Sequence, residues 1–182
     1  MSRNYKFYEK TELYFVTYTV IGWIDVFTRD IYRNVLLDSW NYCIKNKGLK
    51  IYAWCIMTNH VHMIISSEKE ELSYIMRDMK SFTSSTLKKL ITENPTESRK
   101  HWILKILREA GTKNKHNNSF QFWQQHNHPI LLDSNFLLEQ KLNYIHENPV
   151  KAGFVDEPED FLYSSARDYA GIKGLIEIEF IK

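Results

Sequence analysis

The stretch KIYAWCIMTNHVHMIIS, residues 50–66, decides the fold. Residues 50–57 and residues 61–66 are dominated by β-branched, aromatic and other apolar side chains, which is typical of strands. The three polar residues between them, 58–60, predict a short turn. The stretch therefore predicts two neighbouring strands joined tightly enough to lie antiparallel.

Alternation along the second strand separates its side chains into two faces. His60, His62 and Ile64 share one face. The other face is apolar and is expected to point into the core: Val61, Met63 and Ile65. Two imidazoles are thus presented side by side on what we expect to be the open face, and they are a reasonable pair of ligands for a divalent metal. Two ordinary surface histidines at a strand edge are the alternative, which this motif alone does not exclude.

The rest of the chain predicts both helices and strands. Residues 13–24, LYFVTYTVIGWI, are expected to form a strand, and residues 28–47 a helix with Thr28 as its N-cap and Gly48 as its end. Three more helices and one strand or hairpin are expected: 72–90, 97–110 and 135–148 for the helices, and 120–132 for the strand or hairpin. This order predicts an α+β fold, a mainly antiparallel sheet with helices on one face. No repeat or linker is visible, so residues 1–182 are predicted to form a single domain.

Composition excludes several classes of protein. The chain has 182 residues, of which 43% are hydrophobic, so it can build a packed core and is not a disordered chain. Cys43 and Cys55 form no CxxC pair, which excludes a disulfide scaffold and indicates a reducing compartment. The N-terminus lacks the apolar stretch of a signal peptide, and the apolar run at residues 13–24 is too short to span a bilayer. We therefore expect a soluble cytoplasmic domain without a membrane partner.

The net charge of +2 hides an uneven distribution. Residues 80–115, here called the basic segment, contain nine Lys and Arg against three Asp and Glu. Such a segment suits a polyanion, because each phosphate contact releases counterions. The alternative is a solvated helical face.

The second chemical signal is NYIHENP, residues 143–149. Tyr144 and Asn148 are four residues apart, so they lie on the same face of the predicted helix. Pro149 has no backbone N–H and is expected to end the helix directly after Asn148. The structural alternative is a half-buried tyrosine beside a C-terminal cap.

Together, the motifs MTNHVHMII and KLNYIHENPVKAGFV resemble those of the single-tyrosine HUH transposases, in which HUH denotes His, hydrophobe, His. The closest resemblance is to the REP-associated tyrosine transposases and their insertion-sequence relatives. It covers most of the chain, from the first strand to residues 164–171. The resemblance implies a central antiparallel sheet flanked by helices, similar to RNA-recognition-module and ferredoxin-like topologies.

The resemblance also implies roles for individual residues. Tyr144 matches the family's nucleophilic tyrosine, and His60 and His62 match its metal-binding pair. Asn148 falls where the family places a third metal ligand. The segment that contains His126 and His128 is similar to one near the family's site, but no firm role follows for either.

The enzyme implied in this way is a DNA transposase, a single-strand endonuclease that also rejoins strands. Tyr144 would attack a DNA phosphodiester and form a 5′-phosphotyrosine and a free 3′-OH, and the 3′-OH of a second strand would reverse the step. A divalent cation would offset charge on the scissile phosphate. Mn²⁺ accepts imidazole readily, whereas Mg²⁺ prefers oxygen ligands but is abundant in cells, so the expected cofactor is Mg²⁺ or Mn²⁺.

Family members recognise short DNA hairpins, so the implied partner is single-stranded DNA with a hairpin structure. The candidate DNA-binding residues are cations of the basic segment and two tryptophans: Lys80, Lys88, Lys89, Arg99, Lys100, Trp102, Lys105, Arg108 and Trp123. Core packing is the alternative for the tryptophans. Some family members are dimers that exchange the tyrosine helix, so a homodimer is also open.

Two other functions remain open at this point. One is a non-catalytic module that binds single-stranded nucleic acid on the same kind of sheet. Such a module would not need His60, His62, Tyr144 and Asn148 together. The other is a metal-dependent phosphoesterase that uses water, in which Tyr144 is merely structural.

Overall fold

The computed structural model describes residues 7–114, 119–125 and 129–181. His126 and His128 lie outside these ranges. Four strands and five helices follow one another along the described chain: β1 (Tyr14–Thr19), α1 (Asp30–Lys47), β2 (Leu49–Ile56), β3 (His60–Ser67), α2 (Leu72–Glu93), α3 (Lys100–Lys113), β4 (Ile130–Leu131), α4 (Asn135–Lys151) and α5 (Ala166–Tyr169). Short 3-10 turns lie at Ile21–Trp23 and at Pro158–Asp160.

The strands form one antiparallel sheet in the order β2-β3-β1-β4. In the register of β1 with β3, Thr17 faces His62 and Thr19 faces His60. The predicted α+β fold with a mainly antiparallel sheet and flanking helices is therefore confirmed. The assignment of all residues 1–182 to a single domain stays a prediction.

The two faces of the sheet support two separate cores. One face, with Val16 of β1 and Met63 of β3, packs under side chains of α1, α2 and α3. The other face carries Phe15 and Ile64 and packs under Ile145 of α4. The expectation that all helices lie on one face is therefore wrong, because the apolar stripe of α4 needs an apolar surface of its own and the second sheet face provides it.

The predicted end of α4 at Pro149 is also wrong, because the helix continues to Lys151. A proline loses one hydrogen bond to the preceding turn, a loss that a helix tolerates near its end. The turn that ends the helix contains Gly153, which has a left-handed φ of 73°. Its N–H donates to the carbonyl of Val150, and the N–H of Phe154 donates to that of Pro149. These two bonds form a Schellman motif, for which glycine is favoured.

Other boundaries shift for local reasons. Helix α1 begins at Asp30 and its N-cap position is Arg29, so the prediction of Thr28 as the cap is wrong. The hydroxyl of Thr28 accepts a hydrogen bond from Arg99 instead. Gly48 ends α1 as predicted, with φ of 72°. In the part of the chain that the structure describes, no helix is long and apolar enough to cross a membrane.

Candidate active site

Helix α4 brings Tyr144 over the sheet face that carries the two histidines. The side chains of Leu138, Leu142 and Ile145 pack toward the second core and fix the rotation of the helix. The hydroxyl of Tyr144 then lies 3.5 Å from Nε2 of His62, and the two ring centroids are 5.0 Å apart. Tyr144 keeps 41% of its surface exposed, so a substrate can reach the phenol. One chain therefore brings together the tyrosine and the histidine pair that the sequence singled out.

The two histidines stand side by side, with ring centroids 4.7 Å apart. The expectation of an open face is wrong for His62, which is 4% exposed because Phe15 stacks on it and Tyr144 covers it. His60 is half-buried at the end of β3. The pair thus forms a partly closed recess under α4, in which electrostatic interactions are stronger than in water.

Hydrogen bonds orient both imidazole rings. Nδ1 of His60 lies 2.6 Å from Oδ1 of Asn59, and Nδ1 of His62 lies 2.7 Å from Oγ1 of Thr17. The amide of Asn59 is itself fixed, because its Nδ2 donates to the carbonyl of Trp23 and to Asp25. Its Oδ1 can only accept, so Nδ1 of His60 carries the proton and Nε2 carries the lone pair.

Burial keeps both histidines neutral. It is the main cause that lowers the pKa of His60, against the carboxylate of Asp25, which raises it. Burial lowers the pKa of His62 to about 3, and the nearby charges of His60 and Lys141 act in the same direction. Neutral imidazoles are the protonation state in which histidine binds a metal.

The two histidines fit the divalent cation that the sequence implies. A neutral imidazole with its Nδ1–H held by a second residue is the usual arrangement of a metal-binding histidine, and His60 has it. No group of three or more His, Cys, Asp or Glu side chains lies within metal-binding reach among the described residues. Among the described residues, a third protein ligand would therefore be of another type. Asn148 lies one helical turn after Tyr144 and is half-buried, which is compatible with that role.

A lysine that the sequence reasoning missed also lies at the site. Nζ of Lys141 is 4.9 Å from the centroid of the Phe15 ring and 5.7 Å from that of Tyr144. Lys141 precedes Tyr144 by three residues, so helical spacing could have placed it on the same face. A phosphate that reaches Tyr144 would meet this cation directly.

His146 anchors the tyrosine helix to the edge of the sheet. Its Nε2 lies 2.9 Å from Oγ of Ser165. That hydroxyl accepts the backbone N–H of Trp54 in β2, at 2.9 Å. His146 also packs edge-on against Tyr169, and burial lowers its pKa to about 4. His146 lies two residues after Tyr144, so it points to a different side of the helix and makes its contacts there.

In the described residues, most of the basic segment belongs to helices α2 and α3. Helices α2 and α3 pack into the core that lies away from the histidines. Four of the candidate DNA-binding residues have exposed side chains on these helices: Lys89, Trp102, Lys105 and Arg108. Lys88 and Lys100 are half-buried, and Nζ of Lys88 lies 4.3 Å from the centroid of the Phe120 ring.

Three candidates for DNA contact have structural partners instead. Trp123 is 4% exposed, stacks on Phe27 in the core and donates to Thr83, so its prediction as a base-stacking surface is wrong. Arg99 pairs with the buried Glu97 at 3.0 Å. Nζ of Lys80 donates to the carbonyl of Gln124, and burial lowers its pKa to about 8.

Arg99 and Lys80 have partners within the fold, and their contact with phosphates stays a prediction. The buried carboxylate of Glu97 needs a charged partner, which Arg99 supplies, and Lys80 donates to the carbonyl of the half-buried Gln124. Arg99 also donates to the backbone carbonyl of Asp25, close to Asn59, so it stiffens the rim of the site rather than offering a free cation.

Comparison with known proteins agrees with this geometry. Residues 16–105 match the family model for IS200-like transposases. A Haemophilus influenzae protein, provisionally described as a REP-associated tyrosine transposase, is 26% identical over 166 residues, which cover 91% of this chain and 85% of the relative. A solved structure of a REP-associated tyrosine transposase bound to a REP hairpin is 18% identical and shares the fold, with a TM-score of 0.63 over 100% of this chain and 95% of that one. The chain is therefore similar to the IS200-like transposases over residues 16–105, and to REP-associated tyrosine transposases over most of its length.

Proposed function

We propose that this protein is a metal-dependent DNA transposase, which cleaves and rejoins single-stranded DNA beside a hairpin through a 5′-phosphotyrosine on Tyr144. The observation that carries the proposal is the position of the Tyr144 hydroxyl against Nε2 of His62, with His60 alongside. The REP hairpin in the related structure supports a hairpin substrate. The cytoplasmic location expected from the sequence stays part of the proposal.

The proposed reaction needs a bond exchange at phosphorus. The phenolate oxygen of Tyr144 forms a bond to the scissile phosphorus, the bond from phosphorus to the 3′ oxygen breaks, and that oxygen leaves as a 3′-OH once protonated. A second 3′-OH reverses the exchange and releases the tyrosine. The number of phosphodiester bonds is conserved, so no nucleotide cofactor is required.

Each described residue of the site has a proposed task. A neutral phenol has a pKa near ~10, so it must be positioned and deprotonated to attack. The ring of His62 packs edge-on against Tyr144 and positions it, and Lys141 supplies positive charge for the phosphate beside the phenol. His60, His62 and Asn148 are the proposed ligands of Mg²⁺ or Mn²⁺. Such an ion, when bound, would act as a Lewis acid toward the phosphate oxygen.

The experiment that tests this proposal is a denaturing gel. The protein is incubated with single-stranded hairpin DNA from the flanks of its own gene, with Mg²⁺ or Mn²⁺ and with EDTA. Tyr144→Phe removes the nucleophile, and Tyr42→Phe is the matched control because Tyr42 is an exposed tyrosine of α1 on the opposite side of the sheet. A covalent band is expected for the wild type and the control only, and it should disappear with EDTA.

The same gel separates the alternatives. Bound DNA that is neither cut nor attached to protein would favour a non-catalytic binding module. Cut DNA without a covalent band would make water the nucleophile and Tyr144 a structural residue. Either result would overturn the proposed strand transfer.

A further inference from the structure

Trp23 is a large aromatic side chain left in solvent beside the candidate active site. It is 62% exposed, although 43% of the chain is hydrophobic and the core takes up Trp40, Trp54 and Trp123. Its ring centroid lies 6.2 Å from that of His60, in an edge-on arrangement. The fold thus leaves most of this ring open to solvent, where a base could stack on it.

The backbone holds Trp23 in an unusual conformation. Its φ is 56°, and it is the only residue other than glycine with a positive φ among the described residues. A bulky side chain rarely adopts the left-handed region, and such outliers cluster where a site needs a side chain aimed in one direction. Here the left-handed turn directs the ring outward from the end of β1, next to the histidines.

The turn that carries Trp23 is held firmly. Gly22, also left-handed at φ of 64°, lies so close to α3 that an added Cβ would stand 3.3 Å from Ile106. The N–H of Trp23 donates to the carbonyl of Val20, and its carbonyl accepts Nδ2 of Asn59. The exposed ring is therefore presented on a rigid support, which lowers the entropy cost of binding a ligand.

One residue fixes both the turn and a candidate metal ligand. Asn59 holds Trp23 through its Nδ2 and His60 through its Oδ1. Each ring lies next to the following one in the order Trp23, His60, His62 and Tyr144, with centroid distances of 6.2, 4.7 and 5.0 Å. A DNA strand whose scissile phosphate lies between the histidines and Tyr144 would pass over Trp23 with a neighbouring nucleotide.

We infer that Trp23 is the stacking platform for one base of the single strand, at the scissile phosphate or one nucleotide further along. This inference rests on the proposed function, because it takes the phosphate between His62 and Tyr144 as the anchor of the strand. Stacking on an aromatic side chain tolerates every base, since each base has a π face. Trp23 therefore holds the strand in place rather than reading its sequence.

The test removes the ring and the base separately. DNA binding is measured by fluorescence anisotropy in the Tyr144→Phe background, with hairpin oligonucleotides in which single bases around the mapped cleavage site are replaced by abasic sites. Removal of the stacked base should weaken binding about tenfold. Trp23→Ala should weaken binding of intact DNA by about the same factor and make it insensitive to that abasic site. Trp23→Phe should restore most of the affinity for intact DNA and most of the sensitivity to that abasic site.

The control is Tyr42→Ala, which removes an aromatic ring of similar exposure on the other side of the sheet and should leave the abasic profile unchanged. If Trp23→Ala keeps the wild-type abasic profile while the wild type cleaves DNA, the platform is refuted and the proposed function stands. If the wild type neither binds nor cleaves hairpin DNA, the proposed function fails and the platform fails with it. If Trp23→Ala weakens binding by the same factor for every abasic oligonucleotide, Trp23 supports the fold and the stacking platform is refuted.

Discussion

The burial of His146 beside Ser165 should make the attachment of the tyrosine helix sensitive to acid. Burial lowers the pKa of His146 from 6.5 to about 4, so the folded protein holds this imidazole neutral while the unfolded chain protonates it below pH 6.5. The unfolded state then binds more protons, and stability falls as the pH falls. This contribution is fully present above pH 6.5 and is lost progressively down to about pH 4.

The size of the effect follows from the two pKa values. Between pH 7 and pH 5 the free energy of unfolding should fall by about 2 kcal/mol on account of His146 alone. The assay is urea unfolding at both pH values, for the wild type and for His146→Gln, whose amide can still bond to Ser165 but does not titrate. Subtraction removes the acid sensitivity of other groups, including His62. The same fall in both proteins would show that His146 is not neutral and buried in the fold.

Four further predictions concern the site. His60→Ala or His62→Ala should abolish cleavage but leave strand binding, measured by anisotropy, within about threefold of wild type, because binding rests on phosphate contacts elsewhere; equal loss of both would make the histidines structural. Asn148→Ala should raise the Mn²⁺ concentration needed for half-maximal cleavage by about tenfold or more, as expected for a lost or weakened metal ligand, and an unchanged titration would remove Asn148 from the ligand set. A mixture of Tyr144→Phe and His62→Ala proteins should stay inactive, because one chain supplies both residues; recovered activity would show exchange of the tyrosine helix in a homodimer. DNA affinity should fall steeply as the salt concentration rises, and it should fall less steeply after Lys89→Ala and Lys105→Ala. An unchanged slope would show that the exposed faces of α2 and α3 are solvated and do not contact DNA.

Local pattern predicted the sheet, since β1, β2 and β3 are continuous runs of strand-forming residues. Alternation also placed Val61, Met63 and Ile65 in the core correctly. The pattern could not predict that α4 covers the second face, because an apolar helical stripe does not specify which surface it meets. The burial of His62 follows from that packing and was missed for the same reason.

The sequence predicted those residues of the candidate site that belong to the two motifs. The two motifs contain His60, His62 and Tyr144, and the structure brings these three together. Their surroundings depend on tertiary contacts that no local pattern encodes: Thr17 reaches His62 through strand register, and Trp23 is aimed by a left-handed turn. The charge count could not show that two of its cations have partners within the fold. Arg99 pairs with the carboxylate of Glu97, and Lys80 donates to the carbonyl of Gln124.

Because a single sheet separates the two cores, strand β1 has one face toward the candidate active site and one face toward the core under α1 and α2. Phe15, Thr17 and Thr19 face the histidines, while Tyr14, Val16 and Tyr18 face α1 and α2. Substitutions at Thr17 and Thr19 should thus give a folded protein with altered cleavage, whereas substitutions at Tyr14, Val16 and Tyr18 should destabilise the protein. Sequence changes at Thr17 and Thr19 could therefore alter the reaction during evolution while the packing on the other face of β1 stays the same.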